Sequence, residues 1–258
     1  MHASRPAPAR WQLPWLLLWL LPVAAGARSA HAQGLPGGLT VGGSLAVTSD
    51  YIYRGVSASN GNPAGQADLH AVTGNTFIGV WGSTRDDELD PYASYDVDLY
   101  LGHRFDLGNA WGVTLSGRAH YLVGGDQEIN DDTAELSASL SYLDRWTVSI
   151  TAIPNAVRYW VYRRLSRSPA WGADTGVQWL IGHGFFLIAG AGYYRSTGTG
   201  PGIERATGYG YGNAGIAFEY RSWRIDVGYF LTDEKRARKS MPYPIANDRI
   251  AATLVWRF

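Results

Sequence analysis

The chain has 258 residues, with 22 basic and 22 acidic side chains and no cysteine. That balance excludes the basic surplus of a nucleic-acid binder, and the lack of thiols excludes disulfide staples, zinc–thiolate centres and cysteine nucleophiles. Glycine (32), tyrosine (16) and tryptophan (11) are abundant, a composition that suits twisted strands carrying interfacial rings.

Arg5 and Arg10 lead into an apolar run from Trp11 to Ala25, and Ala30-His31-Ala32 then supplies small residues at a peptidase site. This order predicts a secretory signal peptide over residues 1–32, cleaved after Ala32. A retained anchor would need about 20 apolar residues, more than the run provides. The mature chain, 33–258, loses Arg5, Arg10 and Arg28 with the leader and carries a formal charge of about −3.

Period-two alternation then recurs along the chain. Weaker segments run over Leu39–Tyr53, Ala64–Val72 and Thr76–Trp81. Stronger ones follow at Tyr95–Leu101, Trp111–Val123, Ala134–Tyr142 and Trp146–Ala152. In Trp111–Val123, for example, Trp111, Val113, Leu115 and Tyr121 share one face, while Thr114, Ser116, Arg118 and His120 share the other. Trp171–Leu180, Phe185–Tyr194 and Gly210–Arg221 are weaker again, and Phe185–Tyr194 is apolar on both faces. Trp223–Leu231 and Ile250–Phe258 close the series. A strand turns successive side chains to opposite faces, so most segments have one oily and one polar side. The segments total twelve, most of them about 9–11 residues, the length that crosses a bilayer at barrel tilt.

The connections alternate in length. Short ones fall at 73–75, 106–110, 143–145, 181–184 and 221–222, and long ones at 54–63, 83–93, 124–131, 153–170, 196–209 and 232–247. Short periplasmic turns and long outer loops are the habit of outer-membrane barrels, and backbone groups in lipid force the sheet to close. The fold class is therefore all-β: a transmembrane antiparallel up-and-down β-barrel of twelve strands in a bacterial outer membrane. Trp111, Trp146, Trp223 and Trp256 fall at the short-turn ends, and Tyr51, Tyr53, Tyr121, Tyr193 and Tyr229 toward the long-loop ends, as two aromatic girdles. A soluble β-sandwich would leave those belts and the alternating turn lengths unexplained. Phe258 shares the oily face of the last segment and resembles the C-terminal signal read by the barrel-assembly machinery.

Ser49-Asp50-Tyr51-Ile52-Tyr53-Arg54-Gly55-Val56-Ser57, Pro63-Ala64 with Gln66, Gly79-Val80-Trp81-Gly82-Ser83 and Asp98-Leu99-Tyr100-Leu101-Gly102 resemble the TorF-like porin family, the Gcw_chp group. The resemblance starts near Leu39 and is most specific through Arg104. Ala58-Ser59 and Thr84 depart from the family pattern, in loops. The resemblance implies an outer-membrane barrel and, with less support, a porin activity.

In a barrel the polar faces line the lumen. They place there Asp50, Arg54, Asp68, His70, Asp96, Asp98, Arg104, Arg118, His120, Glu135, Asp174, Glu219, Arg224, Asp226 and Arg249. Facing acids and bases set up a transverse field that favours small polar or charged solutes, so passive diffusion is the leading function. Asp50 and Arg54, on one face of the first strand, are candidates for a constriction. The alternative is that paired charges fill a narrow lumen, because twelve strands lie between the filled eight-stranded and the open sixteen-stranded barrels.

A barrel hydrolase is the weaker competitor. Ser116 and His120, or Asp68 and His70, share a face without any hydrolase motif, so no catalytic residues and no enzyme are expected. No metal site and no cofactor are expected either. Arg158, Arg163, Arg164 and Arg167 crowd one long loop, Lys235, Arg236, Arg238 and Lys239 another, and Asp86, Asp87, Glu88 and Asp90 a third. The basic loops suit the phosphates of lipopolysaccharide. The expected partners are thus outer-membrane lipid and lipopolysaccharide, the assembly machinery and small polar solutes, with no nucleic acid, and the barrel is expected to be a monomer.

Overall fold

The structure is a computed structural model that describes residues 33–35, 38–86, 93–124, 132–158, 166–197, 207–240 and 246–258. The expected leader, residues 1–32, lies outside these, as do Asp87, Glu88, Asp90, Arg163 and Arg164.

A short β1 (Gln33–Leu35) pairs with the start of β2 (Leu39–Thr48), and a two-rung hairpin follows, β3 (Ile52–Tyr53) with β4 (Val56–Ser57). Eleven long strands come next: β5 (Ala64–Thr73), β6 (Thr76–Thr84), β7 (Ala93–Leu107), β8 (Trp111–Gly124), β9 (Thr133–Tyr142), β10 (Trp146–Arg158), β11 (Ser166–Gly182), β12 (Phe185–Ser196), β13 (Thr207–Tyr220), β14 (Trp223–Thr232) and β15 (Arg249–Arg257). From β6 onward each pairs antiparallel with its predecessor, β5 pairs with β2, and β15 returns to β2 with Trp256 opposite Leu45. The result is a closed barrel of twelve strands, β2 and β5 to β15. Closure gives each of these twelve strands a partner on both sides, the condition that lipid imposes.

Alternation sorts the side chains. Leu45, Leu101, Leu115, Leu136, Ile150 and Val227 point outward and are exposed, while their neighbours Thr114, Glu135, Thr151 and Asp226 point inward and are buried. Ile250 is 70% exposed, which in water would be costly and in hydrocarbon is favourable. The outer surface is thus the apolar band of a membrane barrel. At the short-turn end, Trp111 lies 4.6 Å from the Tyr142 ring and Trp256 5.1 Å from Phe258. Trp146 and Trp223 also face outward there, and Tyr121 and Tyr229 face outward toward the other end. Phe258 exchanges two backbone hydrogen bonds with Gly43, extending the β15–β2 seam.

The first strand is shorter than the sequence pattern predicts. It ends at Thr48 rather than Tyr53, so Asp50 and Arg54 do not lie on it. One helix that the periodicity did not signal, α1 (Glu234–Ser240), sits between β14 and β15; the Asp233 carboxylate accepts from the Arg236 amide and caps its start.

Candidate permeation site

After Thr48 the chain turns into the barrel. The Thr48 hydroxyl donates to the Asp50 carbonyl (2.8 Å), and the Asp50 carboxylate accepts from Ser57, from Ser59 (3.1 Å) and from the Arg249 guanidinium (2.6 Å). These contacts hold the base of the β3–β4 hairpin against β15. At its tip Arg54 and Gly55 both take left-handed φ, +48° and +78°. A Cβ on Gly55 would lie 2.5 Å from Thr232 Oγ1 and 2.6 Å from Tyr211 Cβ, so only glycine fits.

The hairpin spans the lumen. On one side Tyr51 donates to Asp96 on β7 (2.8 Å) and Tyr53 to Glu135 on β9 (2.7 Å). On the other side the Thr232 hydroxyl of β14 donates to the Gly55 carbonyl (2.6 Å), and the Arg54 guanidinium lies 5.6 Å from the Tyr194 ring of β12. Two apolar clusters seat it. Tyr51 and Ala58 pack with Ala64, Phe77, Trp81 and Tyr100; Val56 packs with Ile153, Tyr194, Tyr209, Tyr211 and the α1 residue Ala237. The hairpin is therefore a filling element within the barrel as well as a polar one.

Beneath and beside it runs a charged wall. Arg54 lies 3.0 Å from Glu135, and Arg118 lies 3.8 Å from the other Glu135 oxygen and 3.3 Å from Asp98. His120 Nδ1 is 2.7 Å from Asp98 and 3.0 Å from Asp96, its ring stacks on Tyr53 at 6.3 Å, and Arg85 lies 3.3 Å from Asp96. Asp96, Asp98 and His120 thus bring three potential metal-ligand atoms within 4.8 Å of one another. The flanking guanidiniums and the short His–Asp contacts already compensate both carboxylates, so a divalent cation here would add surplus positive charge.

The remaining predicted residues fall into separate groups. Asp68 receives the Tyr100 hydroxyl (2.6 Å) and faces His70 Nδ1 (2.6 Å). Asp174 receives the Tyr211 hydroxyl (2.6 Å). Toward the short-turn end, fully buried Arg224 is held by Asp226 and Glu219 (2.7 Å each) and by Gln178, with Arg257 3.3 Å from Glu219; Arg104 is paired with Asp106 and Asp144. Sequence reasoning missed Arg85, Arg257, Asp106 and the tyrosines 51, 53, 100 and 211. Tyr100 and Arg257 were visible as members of inward faces; Tyr51 and Tyr53 read as strand-end rings.

Between these levels the wall is hydroxylic. By register Ser116, Ser137 and Thr151 form one row across β8, β9 and β10, and Thr114, Ser139 and Ser149 the next. Ser116, Ser137, Ser149 and Gly176 point inward yet keep partial exposure, and a Cβ on Gly176 would meet nothing nearer than 3.9 Å. The lumen therefore holds open space at this level.

The chain is a closed antiparallel β-barrel with an apolar outer face and a charge-lined interior. Residues 32–157 match the family described as "Bacterial protein of unknown function (Gcw_chp)". Among solved structures the NanC porin is similar with a TM-score of 0.53 at 11% identity, over 83% of this chain and 97% of that one. A membrane protein used to study in-meso crystallization is similar with a TM-score of 0.50 at 10% identity, over 84% and 83%. At these identities the likeness is one of fold. No curated protein matches the chain.

Proposed function

We propose that this protein is an outer-membrane channel for passive diffusion of small polar or charged solutes, in keeping with its resemblance to the TorF-like porins. The observation that supports this best is the lumen itself. Acids, bases and two rows of hydroxyls face a space that remains open at Gly176, while the apolar side chains face out. The β3–β4 hairpin is its constriction: it crosses the lumen and presents Arg54 beside the Arg118–Glu135–Asp98 wall. A channel of this kind supplies solvation and a field rather than chemistry, so no enzymatic step is assigned.

Export by a cleaved leader, insertion through the C-terminal strand ending at Phe258, a monomeric state and attraction of lipopolysaccharide by the exposed residues Arg167 of β11 and Lys235 and Arg236 of α1 complete the reading. A second reading rests on the hairpin: its two apolar clusters favour a plugged barrel that acts at the surface. Single-channel recording of refolded 33–258 in planar bilayers separates the two. Discrete conductance steps support the channel; a folded barrel without steps overturns it in favour of the plug.

A further inference from the structure

Glu135 has an unusual set of neighbours. Its carboxylate receives the Tyr53 hydroxyl at 2.7 Å and the Arg54 guanidinium at 3.0 Å on one oxygen, and faces Arg118 at 3.8 Å on the other. Two guanidiniums and a phenol converging on one carboxylate are the donor set that recognises carboxylates in general. The donors come from two bodies: Tyr53 and Arg54 from the hairpin, and Arg118 from the wall.

Resting on the channel reading, we infer that Tyr53 and Arg54 form a carboxylate-binding cradle in which Glu135, held from its other side by Arg118, is a resident ligand, and that small solute carboxylates exchange with it. The exchange is electrostatically balanced. When a solute takes Tyr53 and Arg54, Glu135 retains Arg118, so no buried carboxylate is left without a guanidinium. Access comes from below: Ser116 lies two residues before Arg118 and Ser137 two after Glu135, and both are partly exposed inward-facing residues. Tyr53 and Arg54 are consecutive residues at the hairpin's left-handed tip, so both donors reach Glu135 from the same short segment. Tyr53 and Arg54 converge on one Glu135 oxygen, so a solute carboxylate oxygen replaces it like for like, a smaller and more strongly hydrogen-bonding centre than chloride.

The occupied cradle also sets the affinity. A site mostly filled by its own side chain binds a competitor with an affinity reduced by the vacant fraction, and removing the resident group lifts that reduction. Glu135→Gln should therefore bind solute carboxylate more tightly than the native chain, and Tyr53→Phe more weakly.

The test uses refolded 33–258 with sodium acetate replacing sodium chloride at constant ionic strength, in two formats. One is single-channel conductance. The other is a fluorophore on Asn62→Cys beside the hairpin, the sole thiol in a chain that has none. The native barrel should show a saturable acetate response absent with chloride. Glu135→Gln should shift half-saturation about tenfold lower, and Tyr53→Phe should shift it higher. Parallel, unsaturable responses to acetate and chloride in the native chain and in whichever variants fold would overturn the cradle. A fluorescence titration that follows these shifts while no conductance appears would leave the cradle standing and sink the channel. Silence in both formats sinks the cradle.

Discussion

Gly55 offers the sharpest handle on the hairpin. Substitution by alanine forces an L side chain to hold φ at +78°, which costs roughly 1 kcal/mol. It also drives a methyl to 2.5 Å from Thr232 Oγ1 and 2.6 Å from Tyr211 Cβ, overpacking worth about 1–3 kcal/mol. Together, about 2–4 kcal/mol lowers the ratio of docked to undocked hairpin roughly 30- to 900-fold. Gly61 is the internal control. Its φ is +76° but nothing lies within 4 Å of its Cβ, so Gly61→Ala incurs only the backbone cost, roughly fivefold. The assay is the rate of tryptic cleavage after Arg54, followed by mass spectrometry on the folded barrel. Arg54 is 6% exposed when docked, and cleavage of a transiently open segment tracks the open population. Gly55→Ala should also raise single-channel conductance. Equal cleavage rates for the native chain and both variants, in barrels that remain folded, would refute the assignment of the hairpin as a docked, packing-limited element.

Other consequences can be checked alongside. Arg224→Met leaves Glu219 and Asp226 buried beside one another without their shared guanidinium, and should destabilise the barrel by about 3–5 kcal/mol in urea titrations of the refolded protein. Gly176→Leu projects into open lumen and should roughly halve conductance while leaving the unfolding midpoint in place. Gly215→Ala, whose Cβ would sit 2.2 Å from the Val227 carbonyl, should instead impair folding, seen as loss of the compact heat-modifiable band on gels. Ile150→Arg faces lipid and should cost about 2–4 kcal/mol of stability in bilayers, with no change in conductance among the molecules that fold.

Much of this architecture is written in the sequence because a membrane barrel uses the simplest code there is. Trp111, Val113 and Leu115 against Thr114, Ser116 and Arg118 assign both faces of β8 without reference to any partner strand. The alternating turn lengths then give the connectivity. The hairpin escaped for a physical reason. Gly43 to Tyr53 keeps a period of two past the point where pairing with β5 and β15 stops, and nothing in that period tells a ring bound for the lumen from one bound for lipid. The informative signal was Gly55, within an otherwise strand-like run, where a left-handed tip is needed. The groupings of charges were hidden for another reason. Arg54 meets Glu135 across 81 positions of chain, and only the closed sheet and the inward turn bring them together. Helix α1 was masked by its charge: Glu234, Lys235 and Arg236 read as a solvated loop, while only Ala237 of its described residues reaches the buried cluster.

The hairpin also accounts for how a twelve-stranded barrel is packed while part of its inner wall stays accessible. Twelve strands enclose more room than wall side chains fill, and an unfilled apolar cavity costs stability as it grows. Here the filling is divided. One apolar cluster, around Val56, seats the hairpin toward the long-loop end, a second runs from Tyr51 down to Phe77 near a short turn, and an ion network surrounds Arg224, while the hydroxyl rows of β8, β9 and β10 line the wall elsewhere. The polar contacts that pin the hairpin, Tyr51 to Asp96 and Tyr53 with Arg54 to Glu135, are of the kind a charged solute can replace; the apolar ones are not. Loss of the polar set alone therefore loosens the tip while the base, tied through Asp50 to Arg249, stays in place. Selective weakening of the two sets separates them: Asp50→Asn should free the base and raise amide hydrogen exchange around Ser57 and Ser59 in all salts, whereas a change confined to the tip should appear only when a carboxylate is present. A hairpin that releases at base and tip together under both conditions would be a simple plug and not a constriction.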